Sequence, residues 1–180
     1  MTLLSHIRLM AKYNQWMNQK LYEAAAKLPT EKLEEDKRAF FGSIIGTLNH
    51  IVVGDVIWLK RFSKHPANYV ALEPVRKIEY PKSLEQILFG NFDELSEQRQ
   101  KLDEIIINWC DELSESDLHH NLQYKNMKGQ LAVKVFSSLV LHFFNHQTHH
   151  RGQVTTLLSQ EGMDVGVTDL LALIPNDTQT

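Results

Sequence analysis

Residues 144–153 read FNHQTHHRGQ, three histidines in ten positions of a segment otherwise patterned as an apolar helix. Phe136, Leu139, Phe143, His146, His150 and then Val154 or Leu157 follow at steps of three and four, which is one face of an α-helix. The pattern predicts a helix from about Ala132 to Gln160, closed by Gly162. Four residues correspond to a rotation of about 40° and a rise of about 6 Å, so His146 and His150 share that face and point inward. An inward imidazole gives up its water without compensation unless a partner, such as a metal ion, takes up its lone pair. The zinc-protease histidine pair has this spacing, although the intervening Glu of that motif is absent here. Alone, the pair reads as hydrogen-bonded core, and a third ligand is needed to change that.

Working outward, a second helix is predicted from Ser43 as N-cap, carrying Ile44, Leu48, Ile51, Asp55, Trp58 and Phe62. From Ser43 to Leu59 its only formal charge is Asp55, which predicts burial on most sides. His50 lies on this helix with Gly46 four residues before it and Gly54 four after. Side-chain-free neighbours on its own face either admit a second element closely or leave a pocket over the imidazole. His50 is therefore the candidate third ligand, with His142 as a pocket or core residue one turn before His146. His6, His65, His119 and His120 lie near element ends or in polar connections and read as solvated.

A first helix carries Leu3, Ile7, Met10, Asn14, Met17, Leu21 and Leu28 and stops at Pro29. Asn14 in that stripe reads as a register-fixing hydrogen bond or a pocket residue. A buried Asp55 requires a cation or several donors; Arg151 is the expected partner, with Arg61 or a neutral, raised-pKa acid as alternatives. Pro66, Pro74 and Pro81 mark residues 65–82 as a long crossover or lid. Ser83 and Gln86 suggest a capping box opening a third helix with Leu84, Leu88, Phe92, Leu95, Leu102, Ile106 and Trp109 on one side. LHHNLQYKNMKGQLAV, residues 118–133, reads as an irregular or hairpin connection, and one short turn, Asp169–Leu173, precedes a fraying tail.

The 180 residues suit one domain, 1–180, and 43% apolar with 23% charged residues is an ordinary globular balance. A net charge of −3 gives no footprint for nucleic acid. No lightly charged stretch is long enough to span a membrane, and the N-terminal segment, with His6 and Arg8 inside it, makes a poor signal peptide. The single cysteine, Cys110, beside Ile106, Ile107 and Trp109, reads as a packed thiol and favours a cytoplasmic location.

Tyr13-Asn14-Gln15-Trp16, Thr47-Leu48-Asn49-His50 with Asp55, Trp58 and Arg61, and Asn145-His146 through His150-Arg151-Gly152-Gln153 together resemble the DinB/YfiT-like family of bacterial metal-binding helical bundles. The resemblance spans the chain from the first helix to the end of the fourth. It implies an all-α, up-down-down-up four-helix bundle, a three-histidine divalent metal site on His50, His146 and His150, and a homodimer. Three neutral imidazoles leave an ion at least one open position, the arrangement of a catalytic site. The first functional expectation is a thiol S-transferase, in which a low-molecular-weight thiol is held as thiolate and presented to a small electrophile under the crossover. A metal-dependent hydrolase and a non-catalytic, metal-binding stress-response module are the alternatives. Imidazole ligands suit zinc or nickel, with iron, manganese and copper as further options.

Overall fold

The structure is a computed structural model that describes residues 2–176. Four long helices form the bundle: α1 (Leu3–Ala25), α2 (Ile44–Phe62), α3 (Phe92–Glu112) and α4 (Phe136–Gln160). Short helices at Thr30–Glu34 and Glu73–Arg76 lie between them, and a hairpin of β1 (Asn121–Lys125) and β2 (Leu131–Val135) precedes α4, with Asn121 opposite Val135 and Lys125 opposite Leu131. Helix starts follow from side-chain caps: Thr2 accepts from Ser5 N–H, Ser43 from Gly46 N–H, and Asn91 from Asp93 and Glu94 N–H.

Side-chain pairs fix the helix directions. Asn18 of α1 reaches Asp103 of α3 while Arg8 reaches Asp111, so α1 and α3 run antiparallel. Asp55 meets Arg99 and Phe62 stacks on Trp109, so α2 and α3 run parallel. His50 faces His150 while Phe62 meets Phe143, so α2 and α4 are antiparallel. This is the up-down-down-up bundle, and the parallel α2–α3 step explains the long crossover, which must return the chain along the bundle. Phe62, Trp109, Phe136 and Phe143 pack edge to face and stacked in the core toward one end of the bundle, each at most 1% exposed. Among the described residues no helix is long and apolar enough to cross a membrane.

Several boundaries differ from the sequence expectation. α1 ends at Ala25, and Pro29 caps the next short helix instead of merely stopping the first, so Leu28 is off the stripe. α4 begins at Phe136 because Leu131–Val135 pairs with β1; the apolar alternation of that segment satisfies a strand ladder as well as a helical face. α3 begins at Phe92, not after Ser83. Gln86 accepts from Lys82 N–H and makes no capping box, while Leu88 and Phe89 spend their backbone N–H groups on the Asn49 side chain of α2. A segment whose amides are taken by another element has none left for a helical ladder. Residues 65–82 are a packed crossover, with Leu72 and Val75 fully buried and Ala71 N–H bound to Glu112, and not a loose lid. The turn at Leu170–Leu173 is present, capped by Asp169; the expected fraying beyond it reaches residues 177–180, which lie outside the described part.

Candidate metal centre

His50 is carried by the second turn of α2, and His146 and His150 by consecutive turns of the antiparallel α4, so three imidazoles enter one groove from two helices. His50 Nε2 lies 3.2 Å from His146 Nε2 and 3.1 Å from His150 Nε2. The two glycines make this closeness feasible in different ways. A Cβ on Gly54 would sit 2.7 Å from His146 Cε1, and one on Gly46 would sit 2.2 Å from the carbonyl oxygen of Phe41. Gly54 thus admits the imidazole, and Gly46 admits the loop whose Phe41 ring stacks on His50 at 3.7 Å between centroids.

The outer ring nitrogens are already occupied. His50 Nδ1 is 2.8 Å from the Leu84 carbonyl, and His150 Nδ1 is 2.8 Å from Gln153 Oε1. A carbonyl oxygen only accepts, so both Nδ1 atoms carry the proton and each neutral ring turns a bare Nε2 lone pair inward. Two lone pairs 3.1 Å apart repel unless a cation lies between them. Zinc–nitrogen bonds of about 2.0–2.1 Å in tetrahedral geometry separate ligand nitrogens by about 3.3 Å, so the three histidines could hold one metal ion. Burial holds all three rings neutral: His146 is pushed down to about 3 by desolvation and by the neighbouring His150 and His50, and His50 and His150 are also lowered, chiefly by desolvation. Neutral imidazole is the ligand form.

Asn49 holds the cover over this site. Its amide accepts from Leu88 and Phe89 N–H and donates to the Phe89 and Ile45 carbonyls, so all four of its hydrogen-bonding positions are used. The clamp fixes residues 84–89 across α2 and brings the Leu84 carbonyl to His50. Glu85, exposed on the same segment, is close enough to favour the charged form of His50. Phe41, Leu84, Gln153 and Glu85 were not singled out from sequence as parts of the site; Asn49 and Gln153 were visible only as letters of the family motif.

The remaining expected site residues lie elsewhere. His142 is exposed, its ring 6.1 Å from His146 and edge-on to Trp58 at 5.0 Å. Asp55 does not meet Arg151 or Arg61. It pairs with Arg99 of α3 and accepts from Gln147 at 2.7 Å, and burial pushes its pKa up against the lowering effect of Arg99. Sequence could not single out Arg99, because its surroundings on α3 are those of a solvated face. Arg151 bonds Asn14 and Thr148 and lies over the Tyr13 ring, while Asn14 also donates to Asp103. Asn14 and Arg151 therefore belong to a buried network between helices, and neither bonds an imidazole of the triad. His65 is 5% exposed, not solvated: its ring packs on Tyr69, His120 and Phe136 at the end of α2. Cys110 is 1% exposed and burial raises its thiol pKa, so it is a packed core residue and no nucleophile.

Comparison with known proteins adds two findings. The family model described as DinB family matches residues 2–178. Protein DinB of Bacillus subtilis (strain 168) is 29% identical over 159 residues, covering 88% of this chain and 87% of that protein. No solved structure matched.

Proposed function

The chain belongs to the DinB family, and from that premise we propose that it is a divalent-metal-dependent thiol S-transferase acting on a small electrophile. The observation that carries the reading is the convergence of three Nε2 atoms, with the tautomers of His50 and His150 set by Leu84 and Gln153. His50, His146 and His150 would hold a divalent ion, and the chemistry it would supply is the acidification of a thiol or water. The chain supplies the rest. Phe41 stacks on His50 and shields one side of the site from water, and the Asn49 clamp keeps residues 84–89 over α2. Cys110 is buried and Asp55 is committed to Arg99 and Gln147, so neither serves as nucleophile or base. An external thiol fits a site that offers no protein nucleophile of its own.

One observation favours a second reading, a metal-dependent hydrolase: the Glu85 carboxylate lies near His50 and could take a proton from water. Zinc or nickel suits the three imidazoles, with iron, manganese and copper as further options. Association into a homodimer is also part of the proposal. The apolar surface of α2 is taken up by the chain itself, since of its residues only Trp58 and Lys60 are not buried, so the contact would lie on another face. The deciding experiment combines metal analysis with a panel of thiols and electrophiles, and of esters and amides. Metal content should fall sharply in His50→Ala, His146→Ala and His150→Ala, and thiol consumption should fall with it. Full metal stoichiometry in the triple variant would overturn the site. Ester or amide hydrolysis that depends on Glu85, with no thiol consumed, would replace the transferase by the hydrolase.

A further inference from the structure

Beyond the histidines, the groove between α2 and α4 runs on along Trp58, which touches His142 on one side and Tyr124 of the hairpin on the other. Tyr124 in turn lines a cleft of about 1010 Å³ between the C-terminal end of α2, the crossover and the hairpin. Lys60, Arg61, Lys64, Arg76, Lys82 and Lys125 line this cleft, and no Asp or Glu does. Arg76 is paired with Glu73 and Lys82 lies 3.9 Å from Glu79, which leaves Lys60, Arg61, Lys64 and Lys125 as lining cations without a carboxylate partner, a local excess of positive charge in a chain whose net charge is −3.

Arg61 is the decisive residue. It is 6% exposed, yet its guanidinium has no hydrogen-bond acceptor and no carboxylate within 4.0 Å among the described residues, and its Nε is buried without a partner. The other buried arginines have partners for their charge: Arg99, although its Nε and Nη2 make no hydrogen bond, is paired with Asp55 and Asp103, and Arg151 bonds Asn14 and Thr148. Trp58 and Tyr124 lie 4.5 Å and 4.9 Å from the Arg61 guanidinium carbon and hold it in place. Basic residues in the last turn of a helix complement its dipole, and that accounts for the sign of Lys60 and Arg61. It does not account for a desolvated guanidinium left without an acceptor at the wall of a cleft, since a buried charge is costly unless something pairs with it. Lys60 meanwhile donates to the carbonyls of Val75 and Arg76 at 3.1 and 3.0 Å, and so binds the crossover to α2 as a wall of the cleft.

We propose that this cleft is a binding site for a small organic polyanion, a phosphate ester or polycarboxylate, whose charged group pairs with Arg61 while Lys64 and Lys125 screen the rest. The bidentate fork of arginine suits carboxylate and phosphate alike. A concave site closed by a hairpin and a crossover fits a small molecule better than a duplex, which needs an extended basic surface. The site stands independently of the metal reaction and is tested without it.

The experiment is calorimetric titration of the metal-loaded protein at low ionic strength with glucose 6-phosphate, with tricarballylate and with a short DNA duplex; the two small anions contain no thiol and separate the phosphate from the carboxylate source. Saturable binding of at least one small anion is expected, weakened about tenfold or more by Arg61→Met, in line with loss of a charged hydrogen bond. The exposed pair Lys64→Gln with Lys125→Gln leaves the core untouched and should weaken binding in the same direction even if Arg61→Met fails to fold. His146→Ala should leave binding intact. The proposal is overturned if neither anion binds saturably, if the lysine pair changes nothing, if His146→Ala abolishes binding, which would place the anion at the histidines, or if only the duplex binds.

Discussion

Two clusters of polar side chains are buried in this bundle, and they differ in where their hydrogen bonds go. Between α1, α2 and α3, Asp55, Arg99, Asp103, Asn14 and Asn18 are each at most 4% exposed, and opposite charges and amides face one another: Arg99 between two carboxylates, Asn14 and Asn18 on Asp103, Gln147 on Asp55. In the α2–α4 groove three histidines aim their inner nitrogens at one another, and two of them, His50 and His150, have their outer nitrogens satisfied. The first cluster pairs its charges within the protein, although Arg99 Nε and Nη2 and Gln147 Oε1 make no hydrogen bond, and works as a structural tie between helices. The second is complete only with a cation. Burial alone does not separate structure from function; the destination of each lone pair does.

The largest effect expected from breaking this contrast is Arg99→Met. It leaves Asp55 and Asp103 buried without their shared cation, and removing one partner of a buried pair typically costs about 3–5 kcal/mol. Denaturant unfolding should show that loss, while metal content per folded molecule stays at the wild-type level. A variant that folds as stably as the wild type, or that loses metal while remaining folded, would mean the two clusters are not separate.

A smaller effect comes from pH, because the clusters act on stability with opposite signs. The three histidines have lowered folded pKa values, so in the metal-free protein they stabilise above their unfolded value of about 6.5, and that contribution is lost as pH falls below it, for His146 down to about 3. Asp103 is pushed up from 3.8 to about 6, chiefly by desolvation, so its contribution is present below 3.8 and lost as pH rises through about 6. Between those limits the two oppose one another. Asp103→Asn should steepen the rise of stability with pH, and replacing the three histidines by Ala should flatten or reverse it. Unfolding free energies of the metal-free proteins at a few pH values check this, and an unchanged slope in Asp103→Asn would remove the carboxylate from the account.

How much of this contrast was legible in the sequence follows from its physics. The helices and the triad were legible because each rests on local periodicity: the stripes of α1, α2 and α4, and His50 between two glycines. Asp55 was legible as a residue needing a partner, but the partner was not, because Arg99 lies on a helix whose order relative to α2 is set by the crossover. The start of α3 was misread for a related reason, since the Asn49 side chain takes amides that a local pattern assigns to a helix. His65 was misplaced because its burial is made by Tyr69, His120 and Phe136, which come from other elements.

The finest test separates the two glycines that flank His50. In a helix interior Gly→Ala is worth up to about 1 kcal/mol in favour of the fold when nothing is in the way. At Gly54 the obstacle is the ring of His146, which is half-buried and can rotate away, so Gly54→Ala should leave the stability of the metal-free protein within about 1 kcal/mol of wild type. The rotated ring no longer points its Nε2 at His50, and metal affinity should fall about tenfold or more, equivalent to about 1.4 kcal/mol. At Gly46 the obstacle is the backbone oxygen of Phe41, which cannot rotate out of the way, so Gly46→Ala should destabilise the metal-free fold itself. Metal titration and unfolding of both variants give the comparison. If Gly54→Ala binds metal as tightly as the wild type, the approach of His146 is not what sets the site, and the close fit between α2 and α4 serves packing alone.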